Sequence, residues 1–516
     1  MHATPAHSLA TEQQTAAATA PRPAPWLSLP LGIAAAVFLW SLLAEDMFPD
    51  GDPFWHIAVG KWIVSHGAVP VSEFFSHSMP GIPWTAHEWL SEVLMYATFQ
   101  AGEWQALHLL ASACLALTAG CMMRFLLDRI EPIYALAIGA LSLATVYTHF
   151  LGRPHVFVWP LTALWLATLV VAVEQRSRPP LWLLPLLLLW TNLHASFTLA
   201  IGFAGALALD ATFTETGWPA RKARALQWAP FLALCAVVVL VNPRGLHAIT
   251  HAAGVMQMKQ TLQIVDEWRS ADFHQFQIFL PWVLCLLAAG YSLQVKLSPF
   301  RVIFIVVLTY LALKHQRYHA LAGLAAPFIL ARPLGDALRA VPRAATQQAG
   351  ALDAIFESLA RRSRRGSTWV VAGAALLAAW AMRPLIRNAP DARATPSAAL
   401  AAFRRTGATG NVLNAYVLGG YLISEGVPVF IDGRGDMYGD TFMVEASQAI
   451  GLSKPHALET ALQKYRITWT MLTPGTPALE LLDHLEEWQR VHTDSIAVVH
   501  VRRDALPRPA PPTPTR

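Results

Sequence analysis

The chain has little charge. Asp, Glu, Lys and Arg make up 14% of its 516 residues, whereas 54% are hydrophobic, and the mean hydropathy is +0.39. A soluble domain carries about 25% charged residues, so that class is excluded and the chain reads as a polytopic helical membrane protein. The excess positive charge, +5, lies in short clusters between apolar runs, where it sets topology, and no nucleic-acid partner is expected. Cysteine is almost absent. Cys114, Cys121, Cys235 and Cys285 all lie in apolar segments, and two helical turns, about 10 Å, separate the first two, too far to bridge. Neither a disulfide framework nor a cysteine zinc site follows. No internal repeat is evident, which argues against a duplicated transporter.

Eleven apolar runs are present, near 26–43, 106–127, 134–150, 156–173, 181–193, 196–211, 226–241, 276–293, 300–313, 320–330 and 369–382. Some are long enough for about 30 Å of hydrocarbon and the shorter ones could pair or tilt. The first follows an Ala/Thr/Pro tail without a small-residue cleavage site, so it reads as a retained helix. Basic clusters in "RFLLDRIEP", "EQRSRPP", "WPARKARA", "VKLSPFR" and the stretch from "RPLGDALRAVPR" to "ARRSRRGS" alternate with less basic loops. Placing them in the cytoplasm puts the N-terminus inside and everything beyond about 385 outside. The expected organisation is a disordered cytoplasmic tail (1–25), a transmembrane domain (26–384) with a large external loop (45–105), an external α/β domain (385–505) and a disordered tail (506–516).

The external segments collect ionisable groups that a membrane protein seldom keeps at its boundary without a role. The first loop opens with "DGDPFWHIAVGKWIVSHG", carrying Asp50, Asp52 and His56, with Glu45 and Asp46 as a rival acidic pair. It continues into "HEWLSEVLMYATFQAG", whose helical periodicity sets Trp89, Val93 and Tyr96 against Glu88 and Glu92. That helix lies either along the membrane surface or against the spans. Further along come His149, Arg153 and His155; Asn192 and His194; Asn242, Arg244 and His247; Asp266, Glu267 and Arg269; and Lys314, His315, Arg317 and His319. Singly, a histidine near a helix end is more often a satisfied interface residue, and "PDGDP" is ordinary turn chemistry. Together, if the outer helix ends converge, these groups frame one polar cavity, with His87 and Glu88 joining as candidate substrate contacts. Beyond 385, short apolar strands ("NVLNAY", "VPVFID", "ITWTMLT", "IAVVHV") alternate with helical stretches ("PHALETALQKY", "ALELLDHLEEWQ"), a βα pattern. In "VPVFIDGRGDMYGD" a strand runs into a glycine-rich loop, making Asp432, Arg434 and Asp436 candidate acceptor contacts. A structural Asp–Arg pair in a glycine-shaped turn is the plainer reading.

An acidic motif just after the first span, followed by many spans and an outer C-terminal domain, resembles the GT-C superfamily of lipid-linked-sugar glycosyltransferases, including bacterial transferases of the RgtA/B/C/D-like type. More narrowly, "DGDPFWHIAVGKWIVSHGAVPVSEFFSHSMPGIPWTAHEWLSEVL" with "NVLNAYVLGGYLISEGVPVFIDGRGDMYGD" is similar to a group of bacterial membrane proteins sharing both blocks. The resemblance implies an inner-membrane enzyme that transfers a sugar from a polyprenyl phosphate or diphosphate to a glycan, lipid or protein acceptor outside. It implies Asp52 as base, Asp50 as helper and His56 sharing the site. A divalent cation, Mg or Mn, would sit on Asp50 and Asp52 if a metal is used. Arginines, Arg317 foremost, would hold the phosphate. The alternative from another class is a non-catalytic scaffold or a lipid or polysaccharide transporter.

Overall fold

A computed structural model describes residues 25–341, 351–364, 366–386 and 389–507, without the side chains of 266 and 351–354. The tails expected to be disordered therefore fall almost wholly outside the described residues, as does the side chain of Asp266.

Each apolar run coincides with a helix. Helix α1 is Leu29–Ser41 and α2, within the first loop, is Asp52–His66. Pro53 suits the first turn of α2, where no intrahelical N–H is needed. Gly67, at φ 63°, ends it in the left-handed conformation, its N–H donating to the Ile63 carbonyl at 2.8 Å. Helix α3, Trp89–Leu127, is two helices broken at Gly102 and Glu103. Then follow α4 (Pro132–Tyr147), α5 (Trp159–Glu174, entered by a 3-10 turn at Pro154–Val158), α6 (Leu183–Leu193), α7 (Phe197–Phe213), α8 (Trp218–Val238) and α9 (Leu246–Val255). The helical part closes with α10 (Phe279–Ser292), α11 (Pro299–Lys314), α12 (His319–Ala340), α13 (Ala351–Ala360) and α14 (Ser367–Met382). Among the described residues, four segments are long and apolar enough to cross a bilayer by length and composition: Trp89–Leu127, Pro154–Glu174, Gln316–Ala340 and Ser367–Leu385. The core joins Trp165, Trp190, Phe197, Trp228 and Phe231, while Trp369 and Tyr291 are 82% and 89% exposed, as lipid-facing side chains would be.

The C-terminal part holds α15 (Ser397–Arg405), β1 (Asn411–Asn414), α16 (Gly419–Ser424), α17 (Gly435–Gly451), α18 (Ala457–Lys464), β2 (Ile467–Leu472), α19 (Ala478–His484), β3 (Trp488–Thr493) and β4 (Val498–Arg502). The sheet order is β1-β2-β4-β3, with β1 parallel to β2 and the other two pairings antiparallel. Two expectations need correction. "VPVFID" is no strand of this sheet; Val429 donates to Phe75 O and accepts from His77 N, each at 3.0 Å, so its backbone partners come from the first loop. A buried backbone must pair with something, and nothing local says with what. "ALELLDHLEEWQ" is helical only to His484, because Trp488–Thr493 forms the edge strand β3, whose alternation is broken by a register shift between Arg490 and His492.

The amphipathic stretch of α3 packs inward. Glu92 is 1% and Ser91 0% exposed, with Ser91 Oγ donating to Leu193 O at 2.6 Å. Helix α2 lies so close that a Cβ at Gly60 would overlap the Glu92 carbonyl. Trp55, Val59, Ile63 and Trp84 of the first loop share one apolar core with Val412, Phe430, Trp469 and Val499. The loop and the C-terminal part are thus one packed body.

Candidate active site

Asp50 and Asp52 begin the site. Asp50 Oδ1 accepts the Asp52 N–H at 3.0 Å, which holds the turn so that Asp52 occupies the first turn of α2, where the helix dipole favours an anion. Asp52 Oδ1 accepts from Trp55 Nε1 at 3.1 Å. Arg153, supplied by the loop before α5, places one guanidinium nitrogen against Asp50 Oδ2 and, at 3.2 Å, Asp52 Oδ2, and its other against Glu267. One cation is therefore shared by three carboxylates from two segments, which lie 103 and 114 residues from it along the chain.

This cluster faces a cavity of about 550 Å³ whose lining also includes His56, His87, Glu88, His149, His155, His194, His251, Arg317, Tyr416 and Asp436. Apolar side chains of α5, α7 and α12, among them Trp159, Leu199, Leu321 and Leu324, form another wall. Arg317 lies over the Trp268 ring at 4.1 Å, and among the described residues no carboxylate pairs with it. His194 Nε2 meets Glu88 Oε1 at 3.1 Å. His251 Nε2 meets Asp436 Oδ2 at 3.0 Å.

Burial and charge set the protonation states. Burial pushes the Asp52 carboxyl up to about 7; Arg153 opposes this while Asp50 and Glu267 add to it. Burial would also raise Glu267, but Arg153, Arg317 and the neighbouring histidines hold it at about 2. Glu88, buried with Asp436 and Asp52 near and Arg317 only partly compensating, rises to about 8. Burial, then Arg153, keeps His56 well below its ordinary value; burial, then His155 and Arg317, does the same for His194. At neutral pH the site thus holds a protonated Glu88 beside a neutral His194, a half-ionised Asp52 and an ionised Glu267.

Of the residues singled out from sequence, the fold brings Asp50, Asp52, His56, His87, Glu88, Arg153, His155, His194, Glu267 and Arg317 to this cavity. His149 and Asp436 line it too, whereas Asn192, Asn242, His247, Lys314 and His315 do not, and neither do five of the expected substrate contacts. His319 is 4% exposed with its ring stacked on Phe279 at 4.3 Å. Arg244 donates to the Trp84 and Pro70 carbonyls, and Arg269 to that of Gln263. Asp432 and Arg434 are buried and paired: Arg434 Nη2 reaches Asp432 Oδ2 at 2.6 Å and Glu73 Oε1 at 3.2 Å, and Tyr438 donates to Asp432 at 2.7 Å. That network bolts the first loop to the C-terminal part. Glu45 and Asp46 are exposed and lie away from the cavity. Unforeseen were Trp55, Tyr416 and His251. The last had a signal, one helical turn beyond His247 in "GLHAITH"; Tyr416, whose OH donates to Gly433 O at 3.0 Å, had none.

The acidic pair does not fit a divalent cation in this arrangement. Asp50 Oδ1 and Asp52 Oδ1 accept from N–H groups, and both Oδ2 atoms face Arg153. The guanidinium stands where an ion would be coordinated.

No protein-family model matches the chain, and no curated protein matches it in sequence. Solved structures do match. The archaeal oligosaccharyltransferase AglB from Archaeoglobus fulgidus, in complex with an inhibitory peptide and a dolichol-phosphate, is 10% identical, with 86% of this chain and 69% of that chain covered at a TM-score of 0.51. The apo form of the Archaeoglobus fulgidus oligosaccharyltransferase is 12% identical at the same coverage and score. ArnT from Cupriavidus metallidurans bound to undecaprenyl phosphate is 15% identical over 92% of this chain and 97% of that chain, at a lower TM-score of 0.46. At such identities the likeness is one of architecture: this chain shares its fold with the archaeal oligosaccharyltransferase.

Proposed function

We propose that this chain is a GT-C-type glycosyltransferase of the bacterial inner membrane, crossing it eleven times, with its cavity open to the periplasmic side and a polyprenyl phosphate or diphosphate sugar as donor. The observation that carries the reading is Asp52: a carboxylate at a helix N-terminus, with its pKa raised to about 7, facing a cavity that also holds Arg153 and Arg317. General bases work best when poised near the operating pH. The fold it shares with an oligosaccharyltransferase that was solved with a dolichol-phosphate supports a lipid-linked donor.

The groups divide the chemistry. Asp52 takes the proton of the acceptor hydroxyl as its oxygen forms a bond to the anomeric carbon. The bond from that carbon to the phosphate oxygen breaks, and the phosphate leaves with the electron pair, now on the lipid. Arg317, with its ring support and no carboxylate partner among the described residues, receives the phosphate; a planar guanidinium matches two of its oxygens. Arg153 orients Asp52 and keeps its pKa from rising further. The apolar wall of α5, α7 and α12 suits the isoprenoid next to the phosphate.

The test is transfer in proteoliposomes from a panel of polyprenyl-phosphate sugars. Asp52→Asn is isosteric, should insert normally, and should lose at least about a hundredfold in rate, the scale of a general base. Full activity in that variant would remove Asp52 as base. Failure of the wild type with every donor, while it still organises partner proteins, would favour a scaffold.

A further inference from the structure

We infer that His87, His251 and Asp436 form a binding site for a first-row divalent metal ion, zinc above all, at the rim of the cavity. One ligand atom from each lies within 4.8 Å of the other two. The three come from the first loop, from α9 and from the first turn of α17, so chain proximity does not explain their meeting. Each is half-buried, and the His87 and His251 rings are 5.1 Å apart.

The surroundings of His87 make it a prepared ligand. Its Nδ1 lies 3.2 Å from the Thr85 carbonyl, which can only accept, so Nδ1 carries the proton and Nε2 offers its lone pair to the site. Metal-bound histidines are oriented in this way by a carbonyl or carboxylate behind them. His87 Nε2 also stands 3.8 Å from Glu88 Oε1, so Glu88 or a water can fill a fourth position. Two imidazole nitrogens and a carboxylate suit zinc and its neighbours. Magnesium and calcium call for oxygen ligands throughout, which separates this site from the Asp50–Asp52 pair. Two ligands of a tetrahedral zinc ion sit about 3.3 Å apart when bonds are 2.0–2.1 Å. The three side chains therefore need to close by up to about 1.5 Å, within the reach of χ rotations. A bound ion would tie the C-terminal part and α9 to the first loop beside Glu88, fixing the cavity mouth. The inference does not depend on the glycosyltransferase reading.

The competing account is that His251 and Asp436 are a simple ion pair beside His87. Full-length protein purified without a histidine tag, stripped with chelator and reloaded with zinc, separates the two by metal analysis after gel filtration. The site predicts about one retained zinc per chain, lost in His251→Ala and in Asp436→Asn and kept in His247→Ala, one turn away on the same helix. Cobalt loading of the stripped protein gives a second readout, a visible ligand-field absorption present in wild type and His247→Ala only. Thermal unfolding in detergent checks that each variant is folded, and addition of zinc should raise Tm in wild type but not in the two ligand variants. No zinc above the His251→Ala level in wild type, or equal zinc in all four proteins, overturns the site.

Discussion

Arg153 is shared by three carboxylates, and removing its charge should give a stability loss that depends on pH. A carboxyl held at about 2 instead of its ordinary 4.5, as Glu267 is, contributes about 3 kcal/mol to the folded state at neutral pH. A depressed carboxyl pKa gives stability that is fully present above 4.5 and lost as pH falls through 2. In Arg153→Met burial becomes dominant, and Glu267, Asp52 and Asp50 face one another without their main counter-charge. The native state of the variant then takes up protons at a higher pH than wild type, so acid relieves the defect. Expected at pH 7.5 is a loss of about 3 kcal/mol, on the order of 6 °C in Tm, and a clearly smaller gap at pH 5. Arg153→Lys keeps the charge without the fork and should fall between. The assay is intrinsic-fluorescence melting in detergent at both pH values. A gap that is equal at the two pH values, or wider at pH 5, would mean that Arg153 acts through packing and would refute the electrostatic account.

Three further outcomes test the site. Because Asp52 works as a base only when ionised and titrates at about 7, wild-type transfer should rise with pH through a midpoint near 7. The residual rate of Asp52→Asn should lack that limb, and an unchanged profile in the variant assigns the limb to another group. Arg317→Lys and Arg317→Ala should both raise the concentration of lipid-linked donor needed for half-maximal rate, about tenfold or more, with the lysine milder because it cannot make the two-pronged contact; unchanged donor dependence in both removes the phosphate role. A Cβ at Gly433 would overlap Asp52 Oδ1 and stand 2.8 Å from Trp55 Nε1. Gly433→Ala should therefore cost about 1–3 kcal/mol and most of the activity, read by melting and transfer assays, and normal values in both would mean that the contact relaxes freely.

The sequence by itself determined the class and the ingredients. Scarce charge and eleven apolar runs specify membrane helices, since hydrophobicity is local and additive along the chain. Asp50, Asp52, Arg153, Glu267 and Arg317 could be singled out because ionisable groups at helix ends are costly there. What those groups touch was decided only by tertiary structure. Arg153 reads the same from sequence as Arg244, yet one shares three carboxylates in the cavity and the other holds two loop carbonyls. Arg434, in the most suggestive motif of the C-terminal part, is consumed by Asp432 and Glu73, because a buried guanidinium must be neutralised by whatever carboxylate the fold brings near. "VPVFID" has the composition of a strand, but its partners lie about 350 residues earlier. The three segments bearing His87, His251 and Asp436 carry no shared pattern at all. Propensity and hydropathy act over a few residues, whereas pairing, burial and pKa depend on which distant segment arrives, and that is fixed only when the first loop and the C-terminal part pack into one core.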